Sequence, residues 1–280
     1  PLAYKVHPYQ WPTIGKELSH IANATLDEVK DFFFSFYAPN NAVLAVTGNI
    51  SFEETVALTE KWFASIPKRD VPVCQLPQEP AQTEERRLVV ERNVPVDSLF
   101  MAYHMCERAH PDYYAFDILS DILSNGKSSR LNRHLVQEKQ LFSSIDAYIS
   151  GTVDAGLFHI SGKPAAGVSL EEAETAVREE LNRLQNEAVA VQELEKVKNK
   201  FESTQIFGNI NYLNVATNLA WFELNGAAED MEKEVERYRS VTAGQLQAVA
   251  QTSFDKRNGV VLYYKGLSPA VSVREGVKLD

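Results

Sequence analysis

The chain is poor in cysteine: its 280 residues include only Cys74 and Cys106. Two thiols are too few for a disulfide framework, and these two are wrongly spaced for a zinc knuckle. No apolar run approaches the roughly 18 residues that a membrane helix needs, so no membrane span is expected, and no signal peptide begins the chain. Basic residues are in deficit, with 28 Lys and Arg against 38 Asp and Glu and a formal net charge of −10. A nucleic-acid surface needs clustered Lys and Arg, so no nucleic acid is expected as a partner; the acidity reads as solubility. There is also no Gly-x-Ser-x-Gly elbow, and Cys74 sits among prolines, a poor place for an aligned nucleophile.

What is present is an ordinary soluble composition, 44% hydrophobic and 24% charged, organised around the stretch Thr25 to Ile50. Thr25 and Glu28 form a capping-box pattern, and Val29, Phe32, Phe33 and Phe36 recur at helical spacing. Pro39-Asn40-Asn41 then stops the helix. Ala42 to Val46 is short, apolar and partly β-branched, and closes at Gly48-Asn49, which predicts a buried strand. The same order returns late in the chain: Thr242 opens a helical run through Leu246 and Val249, Lys256 to Gly259 turns, and Val260 to Tyr264 reads as a strand. The offset is constant, Thr25 matching Thr242, Asn41 matching Asn258 and Val43 matching Val260, which implies an internal duplication. Because far more chain precedes Thr242 than Thr25, the first copy is expected to lack roughly 130 residues at its N-terminus, so that this chain is a piece of a longer polypeptide.

Between these landmarks, Ser51 caps a helix that Pro67 ends, and residues 70–86 read as a proline-rich exposed linker. Strands are predicted at Arg87–Glu91, Ser98–His104, Ile145–Ile149 and Gly156–Ser161. Helices are predicted after Pro111-Asp112, over Ser129–Glu138, after Ser169 and over Val191–Phe207, the last extending with breaks towards Leu224. Strands adjacent in sequence and mixed with helices favour an α+β fold, with a mostly antiparallel sheet and helices on one face.

Several groups invite chemistry. Gly126-Lys127-Ser128 resembles the end of a phosphate loop, but Asp121 stands where the first glycine belongs and the segment lies between helices. His104, Glu107 and His110 are all possible metal ligands, yet the spacing is poor for a helical zinc pair and Pro111 follows at once, so solvated residues at a strand end are expected. His134 and Glu138 read as a surface helical pair, and the acidic helix runs Glu171-Glu172 and Glu179-Glu180 as solvated faces.

In combination the motifs carry a family likeness. His7-Pro8-Tyr9, Gly15, Thr25-x-x-Glu28, Tyr37-x-Pro39-x-Asn41 and Val46-x-Gly48-Asn49 resemble the end of the zinc-bearing domain of pitrilysin/insulinase-like metallopeptidases, which include mitochondrial processing peptidase. Leu119-x-x-Ile122-Leu123-x-x-Gly126-x-Ser128-Ser129-Arg130-Leu131, Glu138-Lys139-x-Leu141 and Leu194-x-x-Val197-Lys198 resemble that family's second domain. The resemblance implies an α/β roll repeated twice. Residues 1–69 would be the C-terminal part of a first roll, 70–86 a linker, 87–268 a complete second roll and 269–280 a tail.

The resemblance also implies zinc in the parent protein, held by a His-x-x-Glu-His motif and a distant Glu. Neither can be placed here, so no metal ligand and no catalytic residue is assigned and this fragment is expected to bind no zinc and be inactive alone. Where many non-catalytic halves carry an Arg and a Tyr that hold the substrate backbone, this chain has Gln137 and Ser143. The implied function is the C-terminal part of the catalytic half of a zinc metalloendopeptidase, whose partners are a peptide substrate and a second chamber half, fused or separate. A non-catalytic scaffold half is the alternative, and an unrelated α+β binding module a third reading.

Overall fold

The computed structural model describes residues 1–267. Ser268 and the expected tail over 269–280 lie outside the described residues. After the short helix α1 (Leu18–Ala22), α2 (Leu26–Phe36) starts where Thr25 predicts. The Thr25 hydroxyl accepts from the Glu28 N–H while the Glu28 carboxylate accepts from the Thr25 N–H, so two orphan donors of the first turn are satisfied reciprocally. A 3₁₀ turn, Pro39–Asn41, follows, and then α3 (Phe52–Phe63), capped by Ser51.

The second copy repeats this local design residue for residue. Its helix α9 (Ala243–Ser253) has the same length and a Thr242/Gln245 capping box, and a 3₁₀ turn, Lys256–Asn258, follows it. One offset carries Leu26 onto Ala243, Phe36 onto Ser253 and Pro39 onto Lys256. The strand β5 (Gly259–Gly266) thus stands where Ala42–Asn49 stand in the first copy.

That strand is central to one sheet. β1 (Arg86–Arg92), β2 (Ser98–His104), β3 (Phe142–Ile149) and β4 (Leu157–Pro164) complete it in the order β1-β5-β2-β4-β3. Only β1 and β5 run parallel; the other pairs are antiparallel. Phe142 lies over Gly162, where a Cβ would sit 2.7 Å from the ring, so a glycine is needed for this close approach beside the register shift at Phe142/Ser144.

One face of the sheet is covered by α4 (Tyr113–Ser124), α5 (Leu170–Asn186) and α9, with α6 (Val191–Gly208) and α8 (Asp230–Ser240) behind and α7 (Tyr212–Asn225) outermost. Leu99, Met101 and Tyr103 from β2, Phe158 and Ile160 from β4 and Val261 from β5 meet Ile118, Leu119, Ile122, Leu181 and Leu246 in one core. Alternation along β2 places its odd-numbered residues inside and its even-numbered ones outside. A charged clamp ties the layers together: Glu174 of α5 accepts from Arg87 of β1 (2.6 and 2.9 Å), Tyr263 of β5 (2.5 Å) and Arg178 (2.7 Å). Burial alone would raise the Glu174 carboxyl, but these bonds outweigh it and hold the group down at about 2.

Two expectations need correction. Ala42–Val46 is not a strand: it pairs with nothing among the described residues, and Val43, Leu44 and Val46 are exposed. A strand exists only as part of a ladder, and no neighbouring strand is there to complete one. Residues 70–85, expected to be an exposed linker, have no regular structure but are not free. The Glu79 side chain is buried and accepts from the N–H groups of Lys5, Val6 and His7 at 2.8, 2.8 and 3.0 Å, and Gln82 donates to the carbonyls of Arg257 and Gly259. Burial would push the Glu79 carboxyl up; the three N–H groups and Arg86 hold it below the ordinary carboxylate range. Residues 1–10 are accordingly docked, with Tyr4 and His7 buried beside Tyr9 and His104 and the Tyr4 hydroxyl donating to Ala155.

Candidate functional site: an open sheet face and a free edge strand

Helices cover only one face of the sheet. On the other, register partners share a side, so the pairs Leu88/Leu262, Phe100/Leu262, Phe100/Ser161, Ala102/His159 and Tyr148/His159 define a continuous surface across all five strands. Leu88, Phe100 and Tyr148 are 46%, 41% and 51% exposed, whereas Leu99 and Met101, their neighbours on the inner side of β2, are at 0% and 2%. An apolar and aromatic sheet face is therefore left in water, bordered by Asp146 and Lys163. Towards β3, Tyr148 stacks on His159 with centroids 4.8 Å apart, and His159 Nε2 lies 2.8 Å from the Ser150 hydroxyl. Burial lowers the His159 pKa, so the ring is neutral at pH 7.

β3 borders this face and, among the described residues, pairs only with β4. Its outer edge has no strand partner, although the Ala147 carbonyl accepts from the Ser124 hydroxyl at 2.7 Å; an edge beside an apolar surface is the arrangement that accepts an extended peptide as an added strand. At the opposite end, the docked segment covers part of the face: Ala3 meets the His104 ring nitrogen at 3.1 Å, and Arg86 donates to the Ala3 carbonyl.

The groups singled out in the sequence are dispersed. His104 ends β2 against Ala3 and Tyr4, and burial keeps its pKa below the ordinary value; His110 Nδ1 accepts from the Asp112 N–H. Gly126-Lys127-Ser128 follows α4, not a strand, with Gly126 at φ 91°. Gln137, in a π-helical turn over Asn132–Glu138, spends its amide on Lys127 O and Asn132 Oδ1, and the Ser143 hydroxyl donates to Lys163 O. His134 corrects the surface-pair reading, because its partner is the buried Glu180 and not Glu138. Cys74 and Cys106 are both free thiols, and burial pushes Cys106 up to about 12, away from the reactive thiolate. Among the described residues no group of three or more His, Cys, Asp or Glu could hold a metal ion. The residues that sequence reading missed are Glu79 and Gln82, whose acidic and amide character in a proline-rich run is indistinguishable from that of a solvated linker.

The residues from β1 to β5 thus form a five-stranded α/β roll with helices on one face and the other face open. The family profile described as "Peptidase M16 inactive domain" matches residues 23–201, and the chain belongs to that family, in agreement with the pitrilysin/insulinase-like motifs. It is 31% identical over 199 residues to the Helicobacter pylori protein named zinc protease PqqE, an alignment covering 70% of this chain and 45% of that protein. Among solved structures, a protease from Helicobacter pylori superposes with a TM-score of 0.87 at 26% identity, covering 94% of this chain and 64% of that one. The M16 inactive domain from Pseudomonas fluorescens shares the fold, with a TM-score of 0.83 at 21% identity over 95% of this chain and 63% of that one. The chain thus spans less than two thirds of the length of each. Zinc belongs to relatives named zinc proteases; the residues described here do not fit it.

Proposed function

We propose that this chain is the C-terminal part of the catalytic half of a zinc-dependent metalloendopeptidase, in which its roll forms a wall of the peptide-holding chamber and supplies neither zinc ligand nor general base. The observation that carries this reading is the apolar sheet face left open beside the free edge of β3, in a chain of a peptidase family whose relatives are named proteases. Such a face suits an extended peptide held through its backbone and its alternate side chains. The second half of the chamber, fused or separate, would close over the same face.

Residues 1–69 belong, in this proposal, to a first roll, on the strength of the shared capping box, turn and offset. Their exposed apolar residues, among them Leu26, Phe32, Leu44 and Trp62, would be covered by the strands and helices of that roll.

The test compares this chain with the complete product of its gene on a set of quenched fluorescent peptides. The chain alone should not cleave, and the complete product should cleave until a chelator removes its metal. A complete product that assembles but stays inert with added zinc would replace this proposal with a scaffold half.

A further inference from the structure

The turn between α6 and α7 exposes what α4, α5 and α9 hide. Phe207, Ile210, Tyr212 and Leu213 fall within seven residues, and all four are between 65% and 72% exposed. The turn is nonetheless built: the Asn209 N–H donates to the Gln205 carbonyl, Asn211 Oδ1 caps α7 by accepting from the Leu213 N–H at 2.9 Å, and Asn214 Nδ2 donates to the Gly208 carbonyl at 3.2 Å. A held knuckle of large apolar side chains in water marks a contact surface.

One contact across the two copies shows where this knuckle lies. Thr47 Oγ1 donates to the Tyr212 carbonyl at 2.7 Å. At the constant offset, Thr47 is the counterpart of Tyr264 in β5, and Ala45 that of Leu262. Leu262 lies on the open face with its partners Leu88 and Phe100, and Tyr264, two residues on, lies on the same side. Ala45 and Thr47 therefore belong to the side of Ala42–Asn49 that corresponds to the open face. They are half-buried, whereas Leu44 and Val46, the counterparts of the core residues Val261 and Tyr263, are exposed. In the first copy the open-face side is thus the better covered of the two, and the knuckle touches it.

We propose, granting that residues 1–69 belong to a first roll, that the α6–α7 knuckle docks on the open sheet face of that roll, over the strand that Ala42–Asn49 forms there and the strands beside it. Position and chemistry both choose this occupant. The hydrogen bond to Thr47 places the knuckle on that face, where it meets the strands that flank Ala42–Asn49 as β1 and β2 flank β5. In the second copy those strands give the face Leu88 and Phe100, and a duplicated roll presents a face of the same apolar kind. Covering it with Phe207, Ile210 and Leu213 takes apolar surface of both partners out of water. The two rolls then use one surface differently: the first roll's is taken up in part by the knuckle, which fixes the rolls against each other, and the second roll's stays open.

The test is carbene footprinting, read by mass spectrometry, on this chain and on the complete product of its gene. Phe207, Ile210 and Leu213 should label strongly in this chain and several-fold less in the complete product, while Val191, an exposed residue at the start of α6, should label equally in both. Ile210→Asp, at an exposed position that should fold normally, should restore the labelling of Phe207 and Leu213 in the complete product, and Val191→Asp should not. Unchanged protection in Ile210→Asp, or a knuckle that labels equally in both molecules, would overturn the proposal. If Leu26, Phe32 and Trp62 become protected in the complete product while the knuckle does not, the docking alone falls; if they stay labelled too, no first roll has formed and that assignment falls with it. Protection that grows with protein concentration would assign the knuckle to a second copy of the chain and overturn the proposal as well.

Discussion

The helix, turn and strand segment that ends each copy is built twice from one local code, yet the two versions meet opposite fates. Leu246, Val249 and Ala250 of α9 are 0%, 6% and 0% exposed; their counterparts at the same offset in α2, Val29, Phe32 and Phe33, are 56%, 58% and 49% exposed. Val261 at the centre of β5 is at 1%, and its counterpart Leu44 at 58%. Capping and periodicity therefore suffice to set where a helix starts and stops, while burial and strand pairing come only from the layers packed against it. The second copy has β1 and β2 to flank its strand and α4 and α5 to cover its helix; the first has none of these among the described residues.

The comparison can be broken most sharply at its buried member. Leu246→Ala should destabilise the roll by about 4 kcal/mol through lost burial and a residual cavity, whereas Val29→Ala should change global stability by less than about 0.5 kcal/mol. Urea denaturation of both variants gives the contrast directly, and equal effects would mean that α2 is buried in solution. Next in size is the clamp on α5. Because the Glu174 carboxyl is held well below its ordinary value, its contribution is present above about pH 4.5 and lost as pH falls towards about 2, amounting to about 3 kcal/mol. Unfolding curves across that range should show the loss in the native protein and a flatter acid limb in Glu174→Gln.

A smaller effect is expected at Glu79, where residues 5–7 are tied to the segment that leads into β1. Glu79→Gln should weaken the three-pronged hold on residues 5–7 by about 2 kcal/mol, seen as faster amide exchange at Val6 and His7 and quicker proteolysis within 70–85. The capping boxes sharpen the comparison at its finest scale. Thr242→Ala should lower global stability by about 1 kcal/mol, and Thr25→Ala should cost about as much in local exchange protection of α2 without moving the global transition.

Much of this was readable in advance where one residue's role is local. Thr25, Ser51, Ser169 and Thr242 mark helix starts because a hydroxyl reaches the N–H three residues on whatever lies beyond. Ser98–His104 was readable as a strand because it is a short apolar and aromatic run, but its alternation of buried and exposed residues was not, since Phe100 and Ala102 are as apolar as Leu99 and Met101. What escaped depended on distant partners. Ala42–Val46 has the composition of a buried strand without the neighbours that would make it one. α8 went unread because the polar run Asp230–Ser240 buries only Glu234 and Tyr238, through pairs with Arg108 and Asp117 far away in sequence. The open face was half legible: the outward residues could be numbered along each strand, but nothing in their order said that no helix would cover them. The pairing of His134 with Glu180 was invisible, since the two come from separate elements.

The strand order β1-β5-β2 also governs when the roll can be finished during synthesis. β1 and β2 emerge early, joined by only residues 93–97, close enough to zip into a hairpin with each other. In the finished sheet they never touch as a pair, because β5, made last of the five, lies between them and is held at its end by Asp97, which accepts from the Gly266 N–H at 2.7 Å. Nascent β1 and β2 must therefore wait, apart, for a strand that leaves the ribosome only after β3, β4 and every helix from α4 to α9 have been made. A premature hairpin would be a trap that the protein has to undo before its sheet can close.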